Sequence, residues 1–215
     1  MNRRALLLAT PRALFPVGLA ILITGLAGHA RRIAESPAHT VAVGLLAAYL
    51  VWLILEVPVT FRRTTATPVD ARTLLPYALA RLAVVAGASF GPLPWTTWSP
   101  ALLIPPLVFA AGVTLRHVAI RTLGRFYSHH VVRQADHRLV SHGPYRLIRH
   151  PAYAGMLMAH VGFTAFFLNE AGVVALALLV AAVIWRILVE ERPLWLIPGY
   201  AGYATGRARL VPGVW

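Results

Sequence analysis

Three stretches carry side chains able to do chemistry in a chain otherwise dominated by Leu, Val and Ala. In "WRILVEERPLW", residues 185–195, Arg186 and Glu190 are four apart, which puts them on one face of a helix. They fall at the end of an apolar run, where ionisable groups are costly and face a cavity or a partner. An arginine can grip an anion through two parallel donors, and a carboxylate can hold an ammonium group or sugar hydroxyls. Glu191 adds a second acid that Arg186 alone does not easily balance. A self-neutralised ion pair anchoring a helix end is the plainer alternative.

The second stretch is "HGPYRLIRHPAYAG", His142 to Gly155, with two each of Arg, His, Tyr and Pro in fourteen residues. Pro144 and Pro151 fix the local backbone, and the residue before each is pushed away from helix. The pattern predicts an ordered loop with one short turn and a helix beginning near Ala152. Tyr145, His150 and Tyr153 offer aromatic faces with hydrogen-bonding tips, which an interfacial aromatic belt would also explain. The third stretch, "YAGYATGRARLVPGVW", places Tyr200, Tyr203, Arg207 and Arg209 ahead of Pro212. Alone it reads as an amphipathic helix lying on the membrane.

The elements that must position these groups are apolar. The chain has 215 residues, is 58% hydrophobic and 13% charged, and has a mean hydropathy of +0.67, which is the composition of a multi-spanning membrane protein. Six apolar segments are long enough, or nearly so, to span a bilayer: 12–29, 39–58, 73–91, 99–120, 152–168 and 171–190. The expectation is an all-α, multi-pass transmembrane bundle of five to six spans. Its first span is a retained helix rather than a cleaved leader. The short "LNEAG" between the last two segments predicts a tight hairpin, and Pro105 with Pro106 predicts a kink in the fourth.

The net charge of +13 is all arginine, since the chain has no lysine. With the N-terminus inside, sixteen arginines fall on the cytoplasmic pieces and two, Arg31 and Arg32, outside. That bias predicts both termini inside a cell (inner) membrane, with the chemistry facing the cytoplasm. It also explains the basic balance without nucleic acid. There is no cysteine, so thiol nucleophiles and Cys-based metal sites are excluded. The histidines, among them His117, His129, His130, His137 and His142, match no metal-ligand spacing. Asp70 and Asp136 are the only aspartates, and no GxGxxG loop follows a strand.

Taken together, the three stretches resemble the isoprenylcysteine carboxyl methyltransferase family and its phospholipid methyltransferase relatives, over about residues 112–213. The resemblance runs from "LRHVAIRTLGRFYS" through GPY, RHPxYxG and EExxL to a terminal Y-x-x-Y…R…P. It departs in "EERPLWLIPGYAGY", where Pro193 and Pro198 bracket a stretch in which the family usually shows Phe-Gly. It implies one integral membrane domain, with N-terminal helices over 1–110 and a methyltransferase core over 111–215. It also implies S-adenosylmethionine, bound without a Rossmann domain at the cytosolic face by the C-terminal half. Matched residue by residue, the cofactor segment is His142, Gly143, Pro144, Tyr145, His150, Pro151 and Tyr153, with Glu190 and Glu191 as the paired glutamates. Arg186 stands where the family places an arginine implicated in catalysis and in holding the acceptor; Arg186 and Glu190 are thus the expected catalytic pair, with no metal. The expected acceptor is a lipophilic molecule drawn from the bilayer, with a carboxylate favoured over a thiol or amine. A membrane NADPH-dependent reductase of the sterol type, and a non-catalytic scaffold or transporter, are the alternatives.

Overall fold

The computed structural model describes residues 3–61, 72–124 and 139–215, with the backbone alone over 3–12. Asp70, the Arg62–Arg63 pair, Asp136 and His129, His130 and His137 lie outside the described residues. Eight α-helices are described: α1 (Arg3–Ala30), α2 (Pro37–Leu55), α3 (Val57–Thr60), α4 (Leu74–Ser89), α5 (Ile104–Leu123), α6 (Pro151–Phe167), α7 (Glu170–Leu194) and α8 (Tyr200–Ala204). Among the described residues there is no strand, and an isolated parallel bridge joins Ile148 to Ala208. The all-α expectation holds.

Among the described residues, four helices are long and apolar enough to cross a membrane: the Ala13–Ala30 part of α1, α2, the Pro100–Leu123 stretch that includes α5, and α7. The two other expected spans, α4 and α6, are 16 and 17 residues long, short of the roughly 20 that a bilayer core asks for. The packing accounts for α6. It is the most enclosed helix, with Met156, Ala159, His160, Phe163 and Phe166 fully buried, so its length follows its neighbours rather than lipid.

The caps explain where the helices begin. Ser36 accepts a hydrogen bond from the Ala38 amide at 3.2 Å and precedes Pro37, the arrangement that satisfies an exposed helix start. Asn169 accepts from the Gly172 amide at 2.8 Å and donates to the Ala88 carbonyl at 3.0 Å. One side chain therefore starts α7 and ties it to the end of α4. The "LNEAG" hairpin is present, with Leu168 in the left-handed region at φ 37°. The expected kink is not. Pro105 and Pro106 lie in the first turn of α5, after a 3-10 turn over Pro100–Leu103, where a missing amide donor costs nothing.

Helix α6 packs chiefly on α5, and α7 on α4. The α5–α6 contact is backbone on backbone: a Cβ added at Gly155 would lie 2.6 Å from the Arg116 nitrogen, and one at Gly162 would lie 2.5 Å from the Phe109 nitrogen. Polar chemistry gathers at one end of this bundle. Glu56, Arg81, Arg116, Tyr153 and Arg186 meet there, while the opposite end holds the buried His29–His39 pair beside Ser89.

Overpacking at a contact this close costs about 1–3 kcal/mol. Gly155→Ala is expected to lower the melting temperature in detergent by that equivalent. Gly44→Ala, with open space around its position inside α2, should not lower it and should raise it slightly, since alanine is the better helix former.

Candidate active site

The loop between α5 and α6 is ordered as the prolines require. Gly143 to Arg146 form one 3-10 turn, and Gly143 takes φ +58° with Thr122 against it. Pro151 opens α6 directly after His150. Tyr145 is buried against Ala119 and Ala152, and Ile148 to His150 run alongside the tail. The Arg149 amide donates to the Ala208 carbonyl and the His150 amide to the Arg209 carbonyl, both at 2.9 Å. The tail is therefore not a free interfacial helix. It is a strap of which α8 is the short helical part, laid across the loop, and the Tyr203 hydroxyl holds the Tyr145 carbonyl at 2.9 Å. Burial pushes the Tyr200 and Tyr203 phenols above their ordinary pKa, so both stay neutral at physiological pH.

The site residues expected from sequence divide into two clusters and a rim. In the first cluster, Arg186 Nε donates to the Tyr153 hydroxyl at 2.8 Å, and that hydroxyl donates to Glu190 Oε2 at 2.8 Å. The i, i+4 pair thus shares a face as expected, joined through a phenol from α6. Arg186 is 2% exposed, and Glu190 is half-buried. Two residues that sequence reasoning missed complete the cluster. Thr73 Oγ1 accepts from Arg186 Nη1 at 3.2 Å, and the Tyr77 ring lies 5.4 Å from the Arg186 guanidinium. Thr73 is the N-cap of α4, yet its side chain makes no cap hydrogen bond; it serves the arginine instead.

In the second cluster, Glu191 is buried between two arginines and a histidine. Arg149 Nη1 lies 2.9 Å from Oε1, His150 Nε2 3.1 Å from Oε1, and Arg209 Nε 2.9 Å from Oε2. Arg149 and Arg209 were not singled out for this role, and only the pairing of loop with strap makes it visible. The His150 and Tyr153 rings, 6.0 Å apart, connect the two clusters. His142 and Gly143 are exposed at the rim and Pro144 is half-buried.

A third set of charges stands beside the first cluster. Glu56, at the end of α2, takes Arg116 Nε on Oε1 and Arg116 Nη2 on Oε2 at 3.3 Å. It also accepts from Trp52 Nε1 at 2.9 Å and meets Arg81 Nη1 at 3.4 Å. Arg116 is fully buried and also donates to the Ala152 carbonyl at 3.2 Å. The signal for this set was present in the sequence, since lone charges at 56, 81 and 116 lie in or beside apolar runs and each demands a partner.

This geometry lies largely within a stretch that known proteins share. Residues 103–195 match the model of the isoprenylcysteine carboxyl methyltransferase (ICMT) family. The segment is ICMT-like. Protein-S-isoprenylcysteine O-methyltransferase B of Arabidopsis thaliana is 37% identical over 84 residues, which is 38% of this chain and 41% of the relative. Its A counterpart from the same plant is 36% identical over 89 residues, 40% of this chain and 43% of the relative. A probable protein-S-isoprenylcysteine O-methyltransferase of Oryza sativa subsp. indica is 38% identical over 85 residues, 38% and 42%. The chain thus spans less than half the length of the curated relatives it matches. The ICMT-like segment holds Tyr153, Arg186, Glu190 and Glu191, but ends before the Tyr200–Arg209 strap. Glu56, Thr73, Tyr77 and Arg81 precede it.

Removing one partner from a buried charge cluster costs about 3–5 kcal/mol. Glu191→Gln is expected to loosen the strap. Hydrogen exchange at the Arg149 and His150 amides should quicken, while exchange within α2 stays as it is.

Proposed function

We propose that this chain is an integral membrane methyltransferase that uses S-adenosylmethionine to methylate a carboxylate carried on an apolar chain. The observation that carries the reading is the Tyr153–Arg186–Glu190 cluster, built inside the ICMT-like segment at the charged end of an apolar bundle. The bias of arginines toward that end supports a cytoplasmic orientation. The isoprenylcysteine named for the relatives is the model acceptor, and a small lipophilic acid is its simpler form.

The residues present fit the methyl donor. Glu190 is half-buried with one oxygen on Tyr153, which suits it to an ammonium group or ribose hydroxyls. The aromatic rings of Tyr145, His150 and Tyr153 suit an adenine or a sulfonium. His142, Gly143, Pro144 and Pro151 form the loop and rim around them. When bound, the cofactor supplies an electrophilic methyl whose bond to sulfur breaks as the acceptor oxygen attacks, leaving a methyl ester and a neutral thioether.

What the protein's own residues contribute is alignment and exclusion of water. Arg186 presents a guanidinium fixed by Tyr153 and Thr73, able to hold a carboxylate in one orientation. Tyr153 keeps Arg186 and Glu190 at a set distance, so acceptor and donor groups are placed relative to each other. Glu191 holds the strap over the loop rather than meeting a ligand. No general base is required, because a carboxylate acceptor reaches the site already ionised.

Titration calorimetry of S-adenosylhomocysteine into detergent-purified protein tests the cofactor half. Micromolar binding is expected, lost in Glu190→Ala and Tyr153→Ala; well-folded wild type that binds none would overturn the reading. Arg186→Ala should keep that binding while turnover of a prenylated acid falls by about 100-fold or more. An equal fall with an amine lipid would remove the carboxylate preference.

A further inference from the structure

A cavity of about 130 Å³ lies between α1, α2 and α4, outside the ICMT-like segment. Leu14, Phe15, Gly18 and Leu22 of α1 give it an apolar wall, and Tyr49, Glu56, Thr60, Tyr77 and Arg81 supply its polar part. Tyr153, Arg186 and Glu190 are not among its lining residues. The Tyr77 ring stands between, with its centroid 5.8 Å from the Arg81 guanidinium and 5.4 Å from that of Arg186. A molecule in this cavity therefore meets Arg81 rather than the Tyr153 cluster.

Two observations set the charge of such a molecule. Tyr77 is 3% exposed, and among the described residues no group accepts its hydroxyl. A buried donor of this kind calls for an acceptor. Arg81 contacts Glu56 at 3.4 Å, whereas Arg116 engages both oxygens of that carboxylate. An anionic oxygen would accept a hydrogen bond from the Tyr77 hydroxyl and pair with Arg81 at once, whereas a neutral apolar molecule would leave the phenol unsatisfied. A cavity of this volume is about the size that holds one benzene ring, so it takes the head-group end of a chain and leaves the rest to lie along the outside of the bundle. On the outside, Val17 of α1 and Leu75 and Leu79 of α4 are exposed apolar side chains, so this flank of the bundle faces lipid.

We propose that the cavity binds a single-chain anionic amphiphile taken from the bilayer, with its carboxylate on Arg81 and Tyr77 and its chain along α1. Because Tyr77 also packs on Arg186, the occupant fixes one wall of the neighbouring site.

The probes are oleate and oleyl alcohol, which differ in the head group alone, added to delipidated full-length protein and read by thermal shift. Oleate is expected to bind at least about tenfold more tightly than the alcohol, since a charge-assisted contact is at stake. Arg81→Met should reduce oleate to the level of the alcohol. Gly18→Leu should abolish both shifts by filling the cavity, since a Cβ at Gly18 already reaches ordinary contact with Leu82 at 3.6 Å. That variant should still bind S-adenosylhomocysteine, which shows it folded and separates this site from the methyltransferase reading. Equal shifts from oleate and alcohol, or no oleate shift in folded wild type, would overturn the proposal. So would oleate that raises the acceptor KM without changing kcat, since the cavity would then belong to the acceptor.

Discussion

The structure depends on keeping three guanidinium groups inside an apolar bundle. Arg81, Arg116 and Arg186 come from three different helices, and each charge costs several kcal/mol to desolvate unless it is well paired. Two hubs answer that cost. Glu56 gathers Arg116, Arg81 and Trp52, which fastens α4 and α5 to the end of α2. The Tyr153 hydroxyl joins Arg186 to Glu190, which fastens α6 to α7. Helix α4 belongs to both, because Thr73, Tyr77 and Arg81 follow one another at four-residue spacing along one face. The ICMT-like segment therefore does not complete the Tyr153–Arg186 cluster by itself. The element that does so lies before it in the chain.

How much of this was legible follows from how each residue signals itself. Arg186 and Glu190 could be paired from spacing, since a helix brings residues four apart together. Tyr153 joined them only through the resemblance, because a tyrosine near an interface has many ordinary roles. Thr73, Tyr77 and Arg81 were passed over, although their period is the same as that of Arg186 and Glu190. Arg116 is one of the sixteen arginines assigned to the cytoplasmic pieces, yet it is fully buried. A charge inside an apolar run is informative one residue at a time, whereas summing arginines to orient the spans hides which ones sit within them. The loop-to-strap pairing of 148–150 with 208–209 was not readable at all. Backbone hydrogen bonds between distant irregular segments leave no period in the side chains.

The prolines show the opposite error, a correct rule placed at the wrong point. Pro105 and Pro106 do interrupt the apolar run, but the interruption falls where a 3-10 turn hands over to α5. A helix start tolerates the missing donors, so no kink is needed.

Glu190 and Glu191 show why neighbours in sequence need not share a role. Successive residues on a helix point about 100° apart, so one carboxylate faces Tyr153 and Arg186 while the next faces the loop and strap. Glu191 is committed to two arginines and a histidine, and taking on a ligand would mean giving up contacts that hold the tail in place. Glu190 is half-buried, with a phenol as its partner, and can accept further donors at little cost. The difference in burial separates a carboxylate enclosed by its partners from one still open to further donors. The paired glutamates therefore take different partners: Glu191 ties the loop to the strap, and Glu190 faces Tyr153.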